Sequence, residues 1–301
     1  MQLNGKRSIV FGANGYVGSH LANKLIQYGY VVQAFDIQEN SIIPSTNYQK
    51  LDITDRFKVE NLDWDVDLVF IFAGITGTYN GFEEYERFVV LNEIGLLNIL
   101  TAIRKSGHKP RIIFPSTRLV YVGNDSPLKE DAPKETKTIY AVNKMACENI
   151  LNIYQNSFGL DYTIYRLCVL YGNDLNSIYS YGTIGSFLNQ ASENKKITLF
   201  GNGSLERTFT HIDDVCEQIL ISCINPISVN KIYNIAGESY SLVAIAKLIS
   251  TKYNAILDFI PWPDKELRIE SGNTVFDSSK LLGEFQLSLK RTFSEWLRQV
   301  K

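Results

Sequence analysis

Short apolar runs alternate with longer stretches whose apolar positions recur every three or four residues. Runs at 8–11, 31–35, 48–51, 68–72, 111–115 and 162–167 predict strands, and 15–27, 82–105 and 139–157 predict helices. In 15–27 the apolar stripe is Val17, Leu21, Leu25 and Ile26, with polar residues between. Strands alternating with helices predict right-handed βαβ units in a doubly wound, parallel α/β sheet. Past about residue 172 the rhythm changes. Residues 173–185 are polar, aromatic and turn-rich and predict a loop over a site. A helix at 212–223 and a strand at 231–235 return to the sheet layer, and 237–301 carry two helical patterns with short strands. This divides the chain into a sheet domain, 1–172 with 212–236 returning, and a smaller α/β cap, 173–211 with 237–301, expected to close on the crevice.

The first strand runs directly into Gly12-Ala13-Asn14-Gly15-Tyr16-Val17-Gly18, and a helix follows at once. Glycines at this spacing let a backbone approach a pyrophosphate, toward which the next helix points its free N–H groups and positive dipole end. The second strand ends in Asp36, eighteen residues after Gly18. A carboxylate there bonds the ribose hydroxyls of NAD and repels a 2′-phosphate. The residues that follow, Ile37, Gln38 and Glu39, bring no cation to that phosphate, which favours NAD over NADP. Ligands of such sheets sit at the carboxyl ends of the strands. Asp36, Asp52, Ala73-Gly74 and Ser116-Thr117 all fall there and should line one crevice.

Composition narrows the class. The 301 residues are 45% hydrophobic and 21% charged, which fits a globular chain with a real core. A net charge of −2 gives no electrostatic footprint for nucleic acid or an acidic membrane, and no apolar run reaches membrane-spanning length. The first seven residues lead straight into a strand and predict no signal peptide. Cys147, Cys168, Cys216 and Cys223 show neither a CxxC pair nor zinc-ligand spacing and read as free thiols of a cytoplasmic protein. His20, His108 and His211 are scattered and predict no metal site; His211 is close enough in sequence to Arg207 to be a candidate contact. The pair Asp213-Asp214 is expected to cap the helix it begins.

One constellation suggests chemistry. Of seventeen tyrosines only Tyr140 has a lysine four residues on, Lys144, which puts the two on one helix face. A free phenol titrates near pH ~10, and a neighbouring ammonium lowers that value, so Tyr140 could take a proton from a hydroxyl while hydride leaves the same carbon. Thr117, at the end of the 111–115 strand, could bond the reacting oxygen; Ser116 is the competing hydroxyl.

With these residues in order, the chain resembles an extended short-chain dehydrogenase/reductase of the NAD-dependent sugar epimerase/dehydratase type. The likeness extends through Leu51-Asp52-Ile53, Asn92, Val120-Tyr121, Arg166, Tyr171-Gly172, Gly201-Asn202-Gly203, Arg207, Ile212-Asp213-Asp214 and Tyr233-Asn234-Ile235. It implies a Rossmann-type fold with a substrate-binding cap. Gly12, Asn14, Gly15, Tyr16, Val17 and Gly18 would meet the pyrophosphate, Asp36 and Ile37 the ribose, and Asp52-Ile53 the adenine. Ala73, Gly74 and Leu167 would lie along NAD, Lys144 would hold the nicotinamide ribose, and Tyr140 with Thr117 would exchange the proton. Thr76, Ser116, Thr117, Val169, Arg207 and Arg268 would face a nucleotide-diphosphate sugar, with Arg207 gripping the diphosphate and Arg268 second to it. Two departures matter. Val169 replaces an asparagine that many members use on substrate, and Arg118-Leu119 replace the Asp-Glu pair of 4,6-dehydratases, which argues against dehydration. The resemblance implies a C4 epimerase, or alternatively a 4-keto reductase using NAD(P)H. A non-catalytic dinucleotide sensor is a third reading, which the intact Thr117, Tyr140 and Lys144 oppose. Many relatives pair the 82–105 and 139–157 helices into a four-helix dimer bundle, and Val89, Ile94, Ile99, Met145 and Ile150 suit that use.

Overall fold

The computed structural model describes residues 5–43, 47–173, 175 and 182–300. Seven strands form a parallel sheet in the spatial order Lys231–Asn234, Tyr162–Leu167, Arg111–Thr117, Leu68–Ile71, Arg7–Phe11, Val31–Asp36, Asn47–Lys50. The order reverses beside the first strand, which pairs with Val31–Asp36 on one side and Leu68–Ile71 on the other. Such a reversal opens a crevice at the carboxyl ends, where the glycine loop lies. The expected doubly wound fold is thus the observed one.

The chain divides into two compact units: Met1–Val120, Thr138–Arg166 and Ile219–Tyr233 in one, and Tyr121–Lys137, Leu167–Gln218 and Asn234–Lys301 in the other. The core of the first unit lies between the sheet and its helices. Ile9, Phe11, Val69, Ile112 and Ile164 of the strands are buried with Leu96, Ile99, Leu100 and Leu151 of the helices. Near-continuous apolar strands are the signature of a sheet covered on both faces.

The helix expected over 82–105 is interrupted. It runs as Asn80–Glu83, Tyr85–Val89, a wide π turn at Val90–Ile94, and Gly95–Ser106. Two contacts account for the π turn. Asn92, buried inside the π turn, bonds the backbone of Ile75, and Gly95 seats on Ile53, where a Cβ would stand 2.4 Å from Ile53 Cδ1. Helix Ile139–Phe158 begins where Thr138 accepts the Ala141 N–H at 3.1 Å and ends at Gly159, in the left-handed region.

In the second unit, Glu206–His211 pairs antiparallel with Glu238–Ser241 and parallel with Val169–Tyr171, and Lys196–Phe200 pairs with Ile256–Ile260. Of the loop expected at 173–185, residues 174 and 176–181 lie outside the described residues, and 182–185 open the helix Gly182–Asn194. The segment 121–137, expected with the sheet domain, clusters with the second unit because its backbone is zipped to 271–277: Gly123 donates to Ser271 (2.7 Å), Leu128 to Val275 (2.8 Å), and Asp277 back to Leu128 (2.9 Å). Asp213 and Asp214 do sit in the first turn of helix Ile212–Cys223, but their carboxylates bind Arg291, and Asp214 also accepts the Lys290 N–H. His211 receives the Asp213 N–H.

Asn234 is fully buried and satisfies three groups of the 121–137 segment. Its Oδ1 accepts from Tyr121 (2.7 Å), its Nδ2 donates to the Leu128 carbonyl (2.8 Å), and its N–H reaches Glu130 (2.9 Å). Replacing it with leucine takes a buried acceptor from the Tyr121 hydroxyl and one of two donors from the Leu128 carbonyl, which keeps the Asp277 N–H. Asn234→Leu is expected to cost about 2–3 kcal/mol of unfolding free energy, measurable by urea titration followed by circular dichroism.

Candidate active site

The glycine loop is built by close backbone approach. Gly12 has φ 78°, and a Cβ there would meet Ala73 N at 2.4 Å. A Cβ on Gly18 would lie 2.0 Å from the Gly12 carbonyl. Any side chain would push the loop off the helix Tyr16–Gln27. That helix starts at Gly15 with no side-chain cap and no acidic residue in its first turn, the condition for receiving an anion. Tyr16 and Val17, its first two residues, are half-buried. This cradle, which a Cβ would fill, fits a dinucleotide pyrophosphate.

Asp36 ends the second strand with one carboxylate oxygen on the Asn14 N–H (3.0 Å) and the other on the Gln38 N–H (3.3 Å). Ile37 beside it is exposed. The side chain of Asn14 turns away from the glycine loop: Nδ2 donates to the Asn40 carbonyl at 2.8 Å, and Oδ1 accepts from the Ile42 N–H at 3.1 Å. Asp52 binds the N–H and hydroxyl of Thr54, and Ile53 is buried under Gly95. The turn just after Ala73 and Gly74 is held by Asn92, which accepts the Ile75 N–H (3.0 Å) and donates to its carbonyl (3.1 Å). Thr76, two residues past Gly74, is exposed.

The fifth strand, Arg111–Thr117, runs two residues beyond expectation. Ser116 and Thr117 therefore leave the sheet on opposite faces. Ser116 follows Ile112 and Phe114 toward helix Ile139–Phe158, where its hydroxyl donates to Glu148. Both Ser116 and Glu148 are buried. Ser116, expected on substrate, is thus held in the packing behind the strand. Thr117 is buried and accepts the Leu119 N–H at 3.2 Å.

Tyr140, Lys144 and Glu148 repeat every four residues and share one helix face. Lys144 donates to the Pro115 carbonyl at 2.8 Å, and its ammonium lies 4.4 Å from the Phe114 ring centroid and 5.9 Å from that of Tyr140. The expected pair and the end of the fifth strand are therefore together. Burial pulls the Lys144 pKa down to about 8, against the opposing pull of Cys147 and Glu148. Glu148 takes Arg166 in a fork, Nε at 3.0 Å and Nη2 at 2.6 Å. Sequence reading missed Glu148, although its spacing from Lys144 was visible.

Arg207 does not present a free fork. Its buried side chain bonds Glu270 (2.6 Å) and the carbonyls of Gly272 (2.5 Å) and Glu206 (2.8 Å), because strand Glu206–His211 bridges to Thr274 and brings that segment alongside. Arg268 is exposed and has no hydrogen bond or ion pair among the described residues. Leu167 ends the sixth strand, and Val169 opens the short strand after it; both are half-buried. His211 is buried against Tyr171. None of the four cysteines forms a disulfide. Among the described residues no helix is long and apolar enough to cross a membrane.

The reversed parallel sheet and its glycine cradle define a dinucleotide-binding protein of the Rossmann type. The profile of the NAD dependent epimerase/dehydratase family matches residues 8–236, and the chain belongs to that family. It is 28% identical over 221 residues to a putative UDP-glucose 4-epimerase of Methanocaldococcus jannaschii, covering 71% of this chain and 72% of that protein. It is also 28% identical over 249 residues to a UDP-N-acetyl-alpha-D-glucosaminuronate decarboxylase of Bacillus cytotoxicus, covering 77% and 75%. The fold is that of the UDP-glucose 4-epimerase from Thermotoga maritima solved with UDP-glucose, at a TM-score of 0.86, 24% identity and coverage of 98% and 97%. The family fixes an extended short-chain dehydrogenase/reductase with NAD as cofactor.

The unfolded chain holds the Lys144 proton up to pH 10.5, but the folded chain only to about 8. Stability from this group is therefore present above 10.5 and lost as pH falls through about 8. Lys144→Met should be more stable than the parent at pH 7, and the margin should shrink as pH rises from about 8 toward 10.5. Urea titrations across that range check it.

Proposed function

We propose that the chain is a nucleotide-diphosphate-sugar epimerase acting at C4 through a transient keto sugar. The observation that carries this is the Tyr140–Lys144 pair, its ammonium held at the Pro115 carbonyl just before Thr117. Lys144 supplies positive charge that favours the phenolate of Tyr140 and leaves N–H donors for a nicotinamide ribose. Tyr140 takes the proton from the C4 hydroxyl as the C4–H bond breaks, and Thr117 orients the oxygen. NAD, held by the glycine loop and Lys144, would supply the hydride acceptor at C4 and the later return of that hydride. The sugar turns before that return, and Tyr140 gives the proton back, so no net redox change remains.

Gly12, Gly15 and Gly18 are assigned to the pyrophosphate, Asp36 to the adenosine ribose, and Asp52 and Ile53 to the adenine. Ala73, Gly74 and Leu167 are assigned to the cofactor edge, and Thr76 and Val169 to the sugar nucleotide. For the diphosphate we assign Arg268, exposed and uncommitted, while Arg207 holds the 270–274 segment that follows it. Dehydration is disfavoured because Leu119 packs with Tyr140 and Phe88, where an eliminating acid and base would be needed.

The exposed apolar side chains Phe82, Val89, Val90 and Ile94 of one helical stretch and Val142 of the next are assigned to a second copy of the chain, in a four-helix bundle. Ile99 belongs to the monomer core, and Ile150 packs against it.

Incubation with UDP-, GDP-, CDP- and dTDP-sugars should give reversible C4 inversion without added NADH. Tyr140→Phe should lower turnover by about 10²–10⁴-fold while NAD still binds. Stoichiometric consumption of NADH with a keto sugar would assign a reductase instead. By sedimentation velocity the wild type should be a dimer, and Val89→Glu with Val142→Glu a folded monomer; a monomeric wild type would remove the bundle.

A further inference from the structure

The cofactor's acidic residue has a cation opposite it that lies far off in sequence. In the sheet register Asp36 pairs with Lys50 of the third strand. Side chains of such partners leave the same face of a sheet. An ammonium beside a ribose-binding carboxylate would welcome the 2′-phosphate that the carboxylate repels. Lys50 is not left to do this, because its Nζ is paired with Glu39.

Glu39 sits on a segment tied down from two sides. Asn14 Nδ2 donates to the Asn40 carbonyl (2.8 Å), the Gln38 side chain (3.2 Å) and the Tyr48 hydroxyl (3.2 Å), while Asn14 Oδ1 accepts from Ile42. Tyr48, on the third strand, donates its own hydroxyl to the Gln38 carbonyl at 2.6 Å. The phenol is held above its ordinary pKa by burial first, and then by Asp36, with Glu39 a smaller contributor. The glycine loop, the 38–42 segment and the third strand are thus joined through one amide and one phenol.

We propose that Glu39, held in place by Asn14 and Tyr48, is a specificity-determining residue that occupies Lys50 and sets a second negative charge against a 2′-phosphate. The inference rests on NAD as the cofactor. It adds to Asp36 a device that removes a cation from the ribose end. Both partners are exposed, so substituting them leaves the core untouched.

Titration of the purified chain with NAD and with NADP, read by calorimetry at low ionic strength, tests this. Glu39→Gln should improve NADP binding relative to NAD by about fivefold, the scale of one exposed charge pair. High salt should shrink the gain. Adding Lys50→Gln to Glu39→Gln should cancel it. An unchanged ratio in Glu39→Gln would overturn the proposal, as would a gain that survives loss of Lys50. A wild type that binds both nucleotides alike would overturn it too. A wild type that binds neither would overturn the cofactor assignment, and this inference with it.

Discussion

A single buried carboxylate holds together the strand ends and the helix on which the proposed chemistry depends. Glu148 receives the forked guanidinium of Arg166 from the sixth strand and the hydroxyl of Ser116 from the fifth, and it stands one turn beyond Lys144 on its helix. Two strand ends and the Tyr140–Lys144 helix are thereby pinned at one point. Bidentate, charge-assisted bonds of this kind carry geometric specificity as well as energy. The pair is nearly dry, so its worth lies less in net stability than in the cost of breaking it: an unmatched buried charge costs about 3–5 kcal/mol. Register between helix and strand is therefore fixed, and with it the placing of Lys144 against the Pro115 carbonyl.

The opposite end of the crevice is held by neutral amides. Asn92 clamps the turn after the fourth strand from inside a π turn, and Asn14 straps the segment after the second strand to the glycine loop. Both use one side chain to satisfy backbone groups of a segment distant in sequence, a cheap way to order a loop without building a core around it. Between these straps lie the glycines, whose missing Cβ atoms let Gly12 reach Ala73 and Gly18 reach Gly12. Close backbone approach and rigidity thus come from different residues.

Much of this was legible beforehand. The glycine loop, Asp36 and the Tyr140–Lys144 spacing are local patterns, and local patterns survive into the fold. The ends of elements were less legible. The fifth strand outran Pro115, because a missing N–H at a strand's last pairs does not end its side-chain alternation, and that alternation sent Ser116 to Glu148. The helix over 82–105 broke because Asn92 and Gly95 answer to Ile75 and Ile53, not to helical periodicity. Arg207 looked free because Glu270 is far from it in sequence.

The sequence by itself determined the sheet, the dinucleotide loop and the shared helix face of Tyr140 and Lys144, since each rests on spacings of a few residues that geometry translates directly. Tertiary structure alone decided which charges are available. Arg207 is spent on Glu270, Arg166 on Glu148 and Lys50 on Glu39, while Arg268 is left exposed. The physical reason is that an ion's chemistry depends on what stands within a few ångströms of it, and those neighbours come from strands and loops that only the folded chain brings together.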